Sequence, residues 1–237
     1  MKCRGGWIGA AAALVLILLG ITGVIRWIAG DAASMAHAML RFAPPERTGL
    51  PEAEYAGVAE MLTGFLTGRR TEFQYTWTGP QGETLLAFHD YEAAHMADCR
   101  ALIRLDGAVC VGCGALALLL PAGFMFMTRR EKRRDWVPFL RGGLRAWWGL
   151  TGILLALGIW ACADFESLFL LFHRVAFRNE LWLLDPRTDL LIRLMPETLF
   201  VHLGVRGAGM AATWIAGIGL VLGLGLRRAT REWRNKT

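Results

Sequence analysis

Two stretches hold the residues best suited to proton transfer. Phe88–Leu105, FHDYEAAHMADCRALIRL, carries Glu92, His95 and Asp98 at intervals of three. Glu166–Phe200 carries His173, Asn179, Asp185 and Asp189 in a run otherwise rich in phenylalanine and leucine. An imidazole with an ordinary pKa of about 6.5 exchanges protons at neutral pH, and a neighbouring carboxylate orients or tunes it. Two histidines accompanied by carboxylates therefore fit general acid–base chemistry. Serine catalysis is poorly served: the two serines, Ser34 and Ser167, lie outside any Gly-x-Ser-x-Gly elbow. Cys99 follows Asp98 and lacks the electropositive setting that produces a thiolate. If the reaction is acyl transfer, the nucleophile comes from the substrate, and the protein supplies acids, bases and positioning.

Each of these residues also has a plainer reading. As a helix, Phe88–Leu105 gathers Phe88, Met96, Cys99, Leu102 and Ile103 on one face. Glu92 and His95 share that face one turn apart, and Asp98 sits at its edge. Polar groups on an apolar face are costly unless paired or used. A Glu92–His95 hydrogen bond fixing a buried turn and a catalytic role both remain open. His89 lies off the face and reads as solvated. The spacing predicts a helix over Glu166–Trp182 with Glu166, His173 and Glu180 on one stripe, where a lone histidine is ordinarily structural. Asp185-Pro186 reads as an N-cap and first helical position, opening a short helix that Pro196 ends. Glu92, His95, Asp98 and His173 are residue types that suit zinc, but there is no HExxH and the spacing is not diagnostic. No metal or cofactor is expected.

The elements that must position these groups are membrane helices. The chain has 237 residues, 54% of them hydrophobic, and a mean hydropathy of +0.37. Four segments carry the excess: 7–28, 107–127, 142–163 and 201–226, each long enough to cross a hydrocarbon core of about 30 Å. Lysine and arginine crowd the start, residues 128–141 and the tail 227–237, which the positive-inside tendency assigns to the cytoplasm. Residues 29–106 and 164–200 are then extracytoplasmic. The net charge of +6 is a topology signal, and a nucleic-acid partner is not expected. The fold class predicted is an all-α integral membrane protein, residues 1–237 forming one membrane domain with a mostly helical cap. Helices are expected over Ala29–Leu40 and Glu52–Leu66, a loop over Ala43–Pro51, and the alternation of Thr71–Trp77 with Glu83–Phe88 allows one short hairpin. His202 and Arg206 face one side at the outer end of the last segment, where Arg206 snorkels or meets a polar lipid group. Five cysteines, including the Cys110–Cys113 pair in an apolar segment, read as packing residues.

The two blocks together resemble the bacterial lipoprotein intramolecular transacylases. Glu92, His95, Met96 and Asp98 match the first signature region. Phe172-His173, Phe177, Asn179, Trp182, Pro186, Asp189, Ile192, Pro196-Glu197 and Phe200 match the second. Ala176 and Leu199 stand where phenylalanine is expected, and Cys99 where an aliphatic residue is usual. The resemblance implies a substrate lipoprotein whose N-terminal cysteine bears a diacylglyceryl thioether, with the sn-2 acyl chain moved onto that cysteine's own α-amine. It implies His95 and His173 as the acid–base pair, Glu92 and Asp98 orienting or tuning His95, and Asn179 as an oxyanion donor. Trp182, Asp189 and Arg206 complete the substrate-binding set, with the phospholipid bilayer as the other partner. Two further readings remain: a metal-dependent membrane lipid hydrolase using Glu92, His95, Asp98 and His173, and a non-catalytic lipoprotein-binding membrane protein.

Overall fold

The structure, a computed structural model, describes residues 2–79, 81–130 and 136–234. In chain order it runs α1 (Lys2–Gly30), α2 (Ala32–Phe42), α3 (Pro45–Thr48), a single 3-10 turn at Glu52–Glu54 and α4 (Tyr55–Leu66). Then come β1 (Thr76–Thr78), β2 (Thr84–Leu86), α5 (Asp90–Arg130), α6 (Val137–Ala163), α7 (Phe165–Ala176), α8 (Leu190–Leu194) and α9 (Glu197–Arg234). Helices α1, α5, α6 and α9 are long and apolar enough to cross a membrane, as the four apolar segments predict. Pro80 in the hairpin turn, Lys132, Arg133 and Arg134 of the basic connection, and Lys236 lie outside the described residues.

The membrane helices run further than their apolar segments. Helix α5 has 41 residues, about 60 Å at 1.5 Å per residue and about twice the hydrocarbon thickness. Asp90, Glu92, Asp98, Arg100, Arg104 and Asp106 confine the membrane-crossing part to the residues after Gly107. The Glu92–Asp98 motif therefore stands at the front of a helix whose later residues are apolar enough to cross the membrane.

The chain divides into two compact units: Met1–Val24, Ala108–Ala163 and Gly209–Thr237 in one, Ile25–Gly107 and Asp164–Ala208 in the other. In the first, α1 and α6 approach closely enough that a Cβ on Gly142 would collide with the Gly6 carbonyl. Small residues give this intimacy where no water drives association. Indole N–H groups find carbonyls in the same unit, Trp147 donating to Ile215 O and Trp214 to Leu16 O, both at 2.8 Å.

The second unit is built on α4, whose apolar positions Tyr55, Val58, Ala59, Leu62, Phe65 and Leu66 are all buried. Its other side is buried too (Met61, Thr63, Gly64), so α4 is a central helix rather than a half-exposed one. Met35, Ala38 and Met39 of α2 join the same core, together with Phe73, Phe88, Met96 and Leu190, Leu191 and Leu194 of α8. The Tyr55 hydroxyl donates to Ala43 O and pairs with Thr48 Oγ1 at 2.7 Å. The expected loop over 43–51 thus contains the short α3, with Pro45 at its first position and left-handed Gly49 after it. β1 and β2 pair antiparallel with Trp77 opposite Leu85, the expected hairpin in shorter form.

Candidate active site

His173 and His95 come together inside the second unit. Helix α7 starts where the Asp164 carboxylate accepts the Ser167 N–H at 3.0 Å, and its last turn presents His173. His95 projects from the second turn of α5, and the two rings face each other at 6.2 Å between centroids and 29° between planes. Both are buried, with exposures of 7% for His95 and 8% for His173. Phe177 packs on both imidazoles, at 5.1 Å from His95 and 5.5 Å from His173. Phe169, Phe172 and Trp182 complete an aromatic wall around His173, with Trp182 at 5.1 Å.

The hydrogen bonds assign the proton positions of His173. Its Nδ1 lies 2.8 Å from Phe169 O. A carbonyl only accepts, so Nδ1 carries the hydrogen and Nε2 of the neutral ring carries a lone pair. Burial lowers the His173 pKa against the opposing pull of that carbonyl. Burial, reinforced by His173 and opposed by Asp98, pushes His95 down to about 4. Both rings are neutral at pH 7. Among the described residues Nδ1 of His95 has no hydrogen-bond partner, and its Nε2 lies 3.6 Å from Cys99 Sγ.

The second block departs from its predicted form, and the departures make the site. Helix α7 ends at Ala176 rather than Trp182, because Phe177 turns extended (φ −117°, ψ 139°) while its N–H still bonds His173 O. Asn179 then accepts the Leu181 N–H on Oδ1 at 3.2 Å, a local turn that competes with helix. Its Nδ2 donates to Asp98 Oδ2 at 2.8 Å, tying this loop to α5 one turn beyond His95. Asp185 does not open a helix. Its Oδ1 accepts the Arg187 N–H and its carbonyl accepts from Thr188 and Asp189, a turn with Pro186 at the position that favours proline. Helix α8 begins only after Asp189.

Glu92 does not hydrogen-bond His95. Fully buried, it accepts the His89 N–H at 2.7 Å and the Leu191 N–H at 2.8 Å. The first is the reach of an N3 glutamate back to its N-cap, and the second satisfies an orphan donor in the first turn of α8. Asp189, 2% exposed, accepts from the Tyr91 hydroxyl, from Thr188 Oγ1 at 2.7 Å and from the Asp185 N–H at 2.7 Å. Burial works to raise the Asp189 carboxyl, but these bonds outweigh it and hold the group below the usual range. His89 is exposed, as expected, and stacks on Tyr91 at 5.3 Å. Arg206 makes its contacts elsewhere, over the Trp27 ring at 4.5 Å and 3.7 Å from Asp31 Oδ2.

Phe177 was marked only as a signature match, and sequence reasoning missed Phe169, Tyr91 and Leu191 as members of this frame. Phe169 was visible in principle, four residues before His173 on one helix. Tyr91 and Leu191 act through contacts that no local spacing announces. Metal-capable side chains converge at His89, Glu92 and Asp189, whose ligand atoms lie within 4.8 Å of one another. Each carboxylate oxygen there already accepts an N–H or O–H, which marks the cluster as a set of caps. The set Glu92, His95, Asp98 and His173 is divided: Glu92 is bound to backbone, and Asp98 to Asn179.

A family model described as lipoprotein intramolecular transacylase Lit matches residues 10–200. The fold is shared with the in meso structure of the membrane integral lipoprotein intramolecular transacylase Lit from Bacillus cereus. The TM-score is 0.64 at 18% identity, covering 99% of this chain and 98% of the other. A variant of that protein with one histidine replaced by arginine aligns with a TM-score of 0.63 at 17% identity, over 100% of this chain and 95% of the other. No curated protein matches the sequence.

Proposed function

The chain belongs to the lipoprotein intramolecular transacylase family, an acyltransferase family of the membrane, and on that premise we propose that His95 and His173 are its catalytic pair, His173 carrying the proton transfers and His95 stabilising the developing oxyanion. The activity is intramolecular acyl transfer on a lipoprotein. The substrate we infer is a lipoprotein with a diacylglyceryl-modified N-terminal cysteine, held at the bilayer. Its α-amine attacks the carbonyl carbon of the sn-2 ester and loses a proton to Nε2 of His173. The tetrahedral intermediate then expels the glycerol oxygen, which takes up the proton held on Nε2 of His173 as its bond to the acyl carbon breaks, and the base is regenerated. An amide and a free hydroxyl result, with no acyl-enzyme and no enzyme nucleophile. Hydrogen-bond donors at the developing oxyanion contribute most in a water-poor pocket, and His95 lies opposite the base to provide one.

The observation that carries this reading is the His173 Nδ1–H bond to Phe169 O, which leaves Nε2 free as a base 6.2 Å, ring to ring, from a second buried imidazole. Asn179 and Asp98 act as a pair that holds the loop bearing Trp182 beside His173. Asp189 and Glu92 hold the frame; Arg206, braced by Trp27 and Asp31 away from the two histidines, is left to meet a polar group of the lipid.

His95→Ala and His173→Ala test it. General acid–base groups contribute about 10²–10⁴-fold each, so each variant loses that much conversion of a diacylated lipopeptide to its N-acyl lyso form, read by mass. The double variant falls little below the poorer single one, because groups acting as a unit are non-additive. Near-normal conversion by either folded single variant removes that residue from the mechanism.

A further inference from the structure

We propose that Cys99 is a positioning residue: its thiol donates a hydrogen bond to Nε2 of His95 and so fixes that ring as the Nδ1–H tautomer, reserving Nδ1–H for the substrate oxyanion. This rests on the assignment of His95 and His173 to the acyl transfer.

Cys99 Sγ lies 3.6 Å from His95 Nε2, within reach of a sulfur hydrogen bond, and one turn further along the same helix. A neutral imidazole has one donor and one acceptor nitrogen, and the bond made by one fixes the role of the other. Burial pushes the Cys99 thiol up to about 12, so it stays S–H and can donate. If it donates, Nε2 is the acceptor and the hydrogen sits on Nδ1. That atom is buried and without a partner among the described residues, in a ring more than nine-tenths buried. A buried orphan of this kind calls for an explanation, and a substrate atom supplies one.

The arrangement of the rest of the site selects this tautomer over its alternative. His173 already offers a lone pair at Nε2. A second lone pair on Nδ1 of His95 would leave two bases and no imidazole donor facing the reaction. Asn179, the donor expected from sequence, gives one of its two Nδ2 hydrogens to Asp98 and is held there. The remaining groups around His95 are Phe177, which is apolar, and the Asp98 carboxylate, which acts on it only through its charge. A neutral histidine side chain leans by a small margin to the Nε2–H form, and it is this margin that the S–H donor must offset. A hydrogen bond is worth about 0.5–1.5 kcal/mol net, which corresponds to a change of roughly two- to tenfold.

The test is nitrogen-15 NMR of the detergent-solubilised, histidine-labelled full chain, in which His95 is assigned by its loss in His95→Asn. The expected spectrum has His95 as the Nδ1–H tautomer at pH 7. In Cys99→Val the His95 signals move toward the Nε2–H form, and kcat for the lipopeptide falls roughly two- to tenfold with KM unchanged. Cys99→Ser, which keeps an O–H donor, retains the tautomer and the rate. An Nε2–H ring in the unaltered protein overturns the proposal without any variant having to fold. So does a Cys99→Val protein with unchanged tautomer, or with changed tautomer and unchanged kcat. The parent assignment fails separately: near-normal conversion by His95→Ala removes the histidine whatever its tautomer.

Discussion

Burial keeps both imidazoles neutral at the pH where the substrate must react, and that has a kinetic signature. An α-amine has a pKa of about 7.7–8.0 and attacks only as the free base. His173 accepts its proton only while Nε2 is bare, and burial puts that loss of function below the ordinary histidine value. kcat/KM follows the ionisations of free enzyme and free substrate. Its logarithm should rise with pH at a slope of about one up to the amine pKa and then level off. Below the His173 pKa both groups are lost together, so the slope steepens toward about two. Since the shift is downward, the break falls below about pH 6.5. Lipopeptide conversion followed by mass across about pH 5 to 9 reads this directly, within the range of general-base titration. A break at about 6.5 would mean that the base is a histidine in water, and one well above it another group.

Among the elements, the front of α5 and the start of α8 are locked by one side chain. Glu92 caps its own helix through His89 N–H and the first turn of α8 through Leu191 N–H. Glu92→Gln keeps one accepting oxygen and sets an NH2 against the other N–H. The lost charge-assisted bond, in a fully buried place, costs about 1.5–3 kcal/mol. Denaturation in detergent should show that loss, with conversion reduced less than by either histidine variant. Full stability with histidine-like loss of turnover would put the carboxylate in the chemistry instead. This lock was not legible in the sequence, since its partner lies 99 residues away. The membrane helices were legible, because their length and apolarity are intrinsic. So was the amphipathic start of α5, though Glu92 beside His95 suggested a pair that the structure replaces with two caps. The predicted helix 166–182 overran by about one and a half turns. Periodicity alone cannot see that Asn179 and Asp185 prefer bonds to their own backbone, which is what ends α7 and delays α8.

On the scale of the whole molecule, the reaction requires the histidine-bearing unit to meet the lipid-anchored end of a lipoprotein. The charges fix which side that should be. Arg129 lies at the end of α5, and Arg227, Arg228, Arg231 and Arg234 close α9, so the positive-inside tendency puts both of these ends in the cytoplasm. With four spans, this tendency predicts both chain termini inside and 29–106 and 164–200 outward. The hairpin offers a place to test this. At Gly79 a Cβ would push aside the carboxylate end of Glu83, and Gly82 has a φ of 81° that disfavours other residues. Gln81 between them is exposed and takes a cysteine freely. An impermeant thiol reagent applied to intact cells should label Gln81→Cys above the background of the parent protein's own cysteines. Arg129→Cys should be labelled only after the cells are permeabilised. The opposite pattern would put His95 and His173 on the cytoplasmic side, away from lipoproteins that mature on the outer face, and would remove the substrate inferred for this site.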